Sequence, residues 1–304
     1  MDLSRLKHVR DICPLNASHH ATITASKWVL PIAARGRPIA IFEHGHSIAL
    51  VSNRILTWHR SFTRTTNAPP KFDPPSYIYI HEWVSDVQPK PHEYAGWVPF
   101  GFASKQGVTF LDERDHTSLW SSHARRHLKI FQKSGATIRN GTIEEFKKNS
   151  HNCYLGESVL EHVLDQTIAV LEERPEDLEI YVAELASEPI GFFIVAHCTE
   201  VSQSYYIGGF YTAVGSKQQA ITGLINHWFK RSRELGLPHV NFGDMCGPWT
   251  PKFDPSIGYS NFKTHFGIHR VWHPQTLWKI RFRLFNLDAV DSTTPGVEIK
   301  KPTL

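Results

Sequence analysis

The chain has 304 residues, 41% hydrophobic and 20% charged, an ordinary globular composition with enough apolar residues for a sizeable core in one large domain or two smaller ones. Lysine and arginine outnumber the acids 33 to 29, a net +4 that permits an anionic partner without requiring one. No run of about 18 apolar residues is present, no signal-peptide pattern opens the chain and no repeat recurs. Cys13, Cys153, Cys198 and Cys246 form no CxxC pair, which speaks against a zinc site. Such scattered cysteines read as reduced thiols in a cytoplasmic protein.

Residues 27 to 113 read as strand-rich. "KWVLPIAARGRPIAIFEHGHSIALVSN" alternates β-favouring runs with turn pairs, and a proline-rich loop precedes a strand beginning near Tyr77. A further hairpin is expected to turn at Lys105-Gln106-Gly107. From Asp115 the pattern becomes helical. Trp120, Ala124, Leu128 and Phe131 share one face, and Gly135 is a natural stop. Arg125, Lys129 and Lys133 share another face, with Arg126 beside them; they read as a solvated face or as a basic ridge for phosphates.

"ATIRNGTIEEF" predicts a short strand, a turn at Asn140-Gly141 and a helix with Thr142 as N-cap and Glu145 three residues on. The next helix should present Val159, Val163, Gln166 or Thr167 and Val170 on one face. A hairpin follows, with strands over 179–185 and 190–197 and a turn over 186–189. A third strand runs over 204–214. A helix over 216–235, capped by Ser216 and ended by Gly236, buries Ala220, Ile221, Leu224, Ile225, Trp228 and Phe229. A strand over 239–245 comes next. This strand–helix–strand order implies a parallel pair in a mixed sheet, hence an α+β protein.

Four stretches carry a family resemblance: "ARRHLKIFQKSGATIRNGTIEEFKKN", "YYIGGFYTAVGSKQQAITGLINHWFKRSRELG", "LPHVNFGDM" and "GYSNFKTHFG". Together they resemble the Fem branch of the GNAT acyltransferase fold, the peptidoglycan-bridge aminoacyltransferases and their relatives. The resemblance covers roughly residues 115 to 283. It implies a GNAT-like mixed sheet flanked by helices over 114–304, and leaves 1–113 as a β-rich domain, either a reduced second GNAT-like unit or an unrelated cap.

The resemblance also implies chemistry. The two neighbouring parallel strands splay apart, and the donor's acyl arm lies between them. Gly208-Gly209 then allows close backbone approach or marks a simple bulge. Tyr211, Val214, Gly215, Ser216 and Lys217 are expected on the donor side with Phe262, near a helix start suited to phosphate. Lys217, with Arg125, Arg126 and Lys129, is expected to line that side. A coenzyme A-type glycine-rich turn is missing, since only Gly215 suits a tight turn, so aminoacyl-tRNA is favoured over acyl-CoA as donor.

Ser260 is expected to cap a short helix that puts Lys263 in its first turn, offsetting negative charge on the donor or intermediate. Asp244 and Tyr206 are the accompanying proton-handling candidates, with Tyr205 and Tyr211 as alternatives. His265 and His269 flank the motif and read as structural. The acceptor would be the amine of a small molecule or cell-wall precursor. No metal, tightly bound cofactor, membrane span or obligate protein partner is implied. The rival reading is a GNAT-derived scaffold that has lost catalysis.

Overall fold

A computed structural model describes residues 10–12, 39–42, 47–51, 56–63, 78–85, 96–99, 105–111, 114–150, 160, 163–164, 167–168, 171, 175–199, 202–246, 256–272, 277–282 and 297–300. The chain divides into two compact units. The smaller comprises Cys13–Ser104 and Trp272–Leu304. Its seven-stranded sheet is built from β2 (Ile39–Phe42), β3 (Ser47–Val51), β4 (Leu56–Thr63), β5 (Ile78–Ser85), β6 (Val98–Pro99), β14 (Leu277–Phe282) and β15 (Val297–Lys300). Trp83 and Tyr79 are buried in it, and Trp97 packs edge-on against Trp83 and His81.

The larger unit comprises Met1–Ile12 and Lys105–Val271. Its strands are β1 (Arg10–Ile12), β7 (Lys105–Phe110), β8 (Thr137–Asn140), β9 (Leu178–Leu185), β10 (Glu188–Cys198), β11 (Gln203–Tyr211), β12 (His239–Asp244) and β13 (His269–Trp272). They form a mixed sheet in the order β1-β13-β7-β12-β11-β10-β9-β8. Its described helices are α1 (Ser122–Lys133), α2 (Ile143–Asn149), α3 (Ala213–Lys217), α4 (Ala220–Glu234) and α5 (Ser256–Lys263).

This division differs from a single cut at residue 113. β7 hydrogen-bonds along β12, and β14 pairs with β5 and β6, so sheet pairing carries each segment into the other unit. The expected turn at 105–107 is likewise strand. Gly107 is there for space: a Cβ on it would lie 2.7 Å from Met245 Sδ.

The helices follow their sequence patterns. Trp120, Ala124, Leu128 and Phe131 are all buried. Ser121 Oγ caps α1 by accepting from Ala124 N, and Gly135 follows its end with a φ of 76°. Thr142 caps α2 by accepting from Glu145 N. Of the next predicted helix, residues 160, 163, 164, 167, 168 and 171 are described and helical, with Val163 and Thr167 buried; Val159, Gln166 and Val170 lie outside the described residues. Ala220, Leu224, Ile225, Trp228 and Phe229 of α4 enter one core with Phe193, Val240, Phe242 and Phe266.

Two local expectations change. The β9–β10 hairpin turns on only Ala186 and Ser187, both at positive φ (51° and 65°), the two-residue form whose twist matches the strands. The helix expected over 216–235 is two helices. Thr212 caps α3 with its hydroxyl on Gly215 N, and Gln219 breaks the run in a left-handed conformation before α4. Ser216 is therefore interior to α3, not a cap.

Candidate active site

The parallel pair β11–β12 registers at only three places, Gln203 with His239, Ser204 with Val240 and Tyr205 with Asn241. Its ending has a local cause. Gly243 adopts a φ of 74°, and its N–H is taken by Asn241 Oδ1 at 2.8 Å. The same kink shifts the β12–β7 register between Asn241 and Asp244. On the other side, β11 spends one extra residue, Ile207, opposite Ile194 and Val195 of β10. Beyond Tyr205 and Asn241 the two strands are no longer paired.

Lys263 stands at this divergence. It is the last residue of α5, which begins at Ser256, so it lies in the final turn and not the first. Ser260 caps nothing; its hydroxyl accepts from Cys246 N at 2.9 Å and ties α5 to the chain leaving β12. Phe266 is buried and Phe262 packs on it edge-on at 5.0 Å. Lys263 points away from that pair, yet only 2% of it is exposed. Its Nζ donates to the Asp244 carbonyl at 2.6 Å and sits 4.3 Å from the centre of the Tyr259 ring. Burial pulls its pKa down to about 8, against the attraction of Asp244 and Cys246.

Asp244 ends β12 as expected. Its carboxyl group reaches solvent, but the atoms packed around it raise its pKa, and the Lys263 charge only partly offsets that. Burial pushes Tyr206 up to about 12, and its hydroxyl bonds that of Tyr259. Tyr206 also packs against Phe193 and Trp228. Tyr259 was not anticipated; its place four residues before Lys263, on the same helical face, is the signal that marks it.

A cavity of about 340 Å³ opens on the other side of α5. Gly258, Asn261, Phe262, His265 and Phe266 line one wall. Tyr211, Gly215, Ser216, Gln219, Ile221 and Thr222 supply the second, from the end of β11 through the start of α4. His123, Ala124 and His127 of α1 close the third. Of the donor-side residues expected, Tyr211, Gly215, Ser216 and Phe262 therefore line one cavity. Val214 and Lys217 are exposed and outside its lining, as are Arg125, Arg126 and Lys129. The titratable residues that α1 turns to the cavity are instead the two histidines, four apart and beside the buried stripe. Among the described residues no group of histidine, cysteine and carboxylate side chains is placed to hold a metal ion.

A second polar cluster lies on the far side of β11. Trp228 Nε1 donates to Ser204 Oγ at 2.5 Å, and Ser204 Oγ meets His197 Nδ1 at 3.0 Å. His197 Nε2 is 3.3 Å from Glu179, which also accepts from Tyr181 and Arg231. Burial alone would raise the Glu179 pKa; its donors, His197 and Tyr181 foremost, hold it at about 2.

No family model matches this chain, and no curated protein matches it by sequence. Among solved structures it is similar to FemX, with a TM-score of 0.66 at 12% identity over 90% of this chain and 97% of that one. Weaker likenesses run to the C-terminal domain of a putative lysylphosphatidylglycerol synthetase from Agrobacterium fabrum (TM-score 0.48, 12% identity, 87% of this chain and 90% of that one). Another is to a GCN5-related N-acetyltransferase from Kribbella flavida (TM-score 0.38, 11% identity, 87% and 96%). The FemX likeness gives the architecture: a GNAT-like fold in the Fem arrangement, as the four sequence stretches implied. No helix among the described residues is long and apolar enough to cross a membrane.

Proposed function

We propose that this chain is an acyltransferase that moves an aminoacyl or acyl group from an activated donor to an amine of a small molecule or cell-wall precursor. The observation that carries this reading is the early separation of β11 and β12 with a buried ammonium at its mouth. A lysine buried with a carbonyl and an aromatic face, and with its pKa lowered, sits where a developing negative charge would relieve it.

The roles follow from the groups. The acceptor amine attacks the donor's ester or thioester carbonyl, forming a C–N bond and an oxyanion. Lys263 stabilises that oxyanion. Asp244, the nearest carboxylate, takes the proton the amine loses. The C–O or C–S bond then breaks, and Tyr206, protonated at neutral pH, supplies the proton the leaving group needs.

The donor we favour is aminoacyl-tRNA over acyl-CoA. A pyrophosphate cradle needs free backbone N–H groups, and at the start of α3 Thr212 already engages Gly215 N and Ser216 N, which leaves fewer than a glycine-rich turn offers. Side chains then carry more of the hold on the donor's phosphates. Single-turnover transfer from acetyl-CoA and from charged tRNA to a panel of amines tests the reading, with calorimetry of each donor at two salt concentrations. Tight, salt-insensitive binding of acetyl-CoA without RNA binding reverses the donor choice. Binding of neither donor, with no transfer, replaces the enzyme by the scaffold reading.

A further inference from the structure

The cavity beside α5 has an unusual charge chemistry. Three histidines face it, with the His123 ring 3.9 Å from that of His127 and 5.0 Å from that of His265. Ser121 Oγ holds His265 Nδ1 at 2.9 Å and fixes that ring. Among the described residues no aspartate, glutamate, lysine or arginine lines the space. The other polar lining groups, among them Tyr211, Ser216 and Asn261, are uncharged.

We propose that this cavity takes a phosphate ester of the donor, with His123, His127 and His265 as a protonatable wall, so that donor binding takes up protons. The inference rests on reading the adjoining cleft as the donor site. Burial, with His123 and His265 close by, disfavours protonation of His127 while the cavity is empty. A phosphate dianion or diester between them reverses that, because each ring gains an opposite charge and a hydrogen-bond acceptor. Among the described residues the charged groups bearing on His127 are His123, Arg126 and His265, and none of them is an acid. Burial and those neighbours lower its pKa. Arg125 and Lys129 on α1 and Lys217 on α3 are exposed and add only screened attraction. Lys263 lies on the other face of α5.

The sign follows from linkage. The complex holds more protons than the free protein, so affinity rises as pH falls through the histidine range and levels off once the rings are charged. One proton taken up per phosphate bound changes affinity about tenfold per pH unit. A phosphodiester of an RNA acceptor end and the phosphates of coenzyme A share this chemistry, and separate probes tell them apart.

Calorimetry on the full chain with acetyl-CoA, and with an RNA acceptor-stem mimic, at about pH 6 and about pH 8 reads the effect. Buffers of different ionisation enthalpy count the protons. We expect the probe that binds to do so about tenfold or more tightly at the lower pH, with about one proton taken up. His123→Gln combined with His127→Gln should flatten the dependence. Histidine ring resonances of the wild-type chain, titrated with and without probe, give the same answer should that variant fail to fold: their midpoints should rise on binding. Affinity equal at both pH values, or a double variant with the wild-type slope, overturns the inference and leaves the donor site standing. No binding of either probe at either pH overturns both.

Discussion

Two polar clusters lean on β11, and they are built on opposite plans. Ser204, His197 and Glu179 have the composition of a hydrolytic triad, yet Ser204 and His197 are buried and every group is partnered. Trp228 can only donate, so the Ser204 oxygen accepts from it and its O–H is free to donate to His197 Nδ1. His197 Nε2–H is left for Glu179. That order satisfies the cluster and leaves nothing for a substrate. At the divergence of β11 and β12, Lys263 has one carbonyl and one ring, and a depressed pKa. A filled network is a brace, whereas a buried charge held by so little is where we propose that the chemistry takes place.

The comparison breaks most easily at Glu179. Glu179→Leu leaves the His197, Tyr181 and Arg231 donors without their shared acceptor and should cost about 1–3 kcal/mol of stability. Transfer per folded molecule should be unchanged. Chemical denaturation and active-site-normalised rates check this, and loss of transfer in a fully folded variant would make the brace part of the chemistry.

The complementary change is Lys263→Met. We expect transfer to fall about a hundredfold or more, as for loss of an oxyanion donor worth about 2–4 kcal/mol. Stability should rise at neutral pH, because a pKa lowered from 10.5 to about 8 means that burying the charge costs roughly 3 kcal/mol. Loss of the bond to the Asp244 carbonyl offsets part of that gain. A melting temperature that drops together with the rate would mark Lys263 as structural.

Acid distinguishes the clusters next. Glu179 titrates near 2 when folded and near 4.5 when unfolded. Its pairing therefore stabilises fully above about 4.5 and is lost as pH falls toward 2, up to roughly 3 kcal/mol. Lys263 contributes nothing in that window; the unfolded chain binds its extra proton between about 8 and 10.5, so stability from this group rises with pH there. Stability curves of wild type and Glu179→Gln should converge at low pH, and parallel curves would contradict the network.

The smallest expected effect is that of Ser204→Ala, which strands the Trp228 N–H and should destabilise toward the low end of about 1–3 kcal/mol without altering transfer. Any acceleration of ester hydrolysis lost in this variant would revive the triad.

Much of the fold was legible because it is set within a few residues. The 120–124–128–131 stripe, the Thr142 cap, the Gly135 and Gly236 stops and the α4 core face depend on helical period and backbone hydrogen bonds between near neighbours. The "NFKTHFG" stretch falls on a helix end and "YYIGGFY" on a strand, as their patterns implied. Other features were decided only by what packed against them. Whether β7 turned or paired depended on β12, and whether Lys263 was exposed depended on the Asp244 carbonyl arriving from β12 to meet it beside Tyr259 of its own helix. On α1 the helical period sets His123 and His127 beside the buried stripe and Arg125 and Lys129 on another face, but it does not say which of those faces meets a cavity. The rotation of that helix against α4 and α5 put the histidines on the cavity and the arginines in water, and no local rule contains that angle.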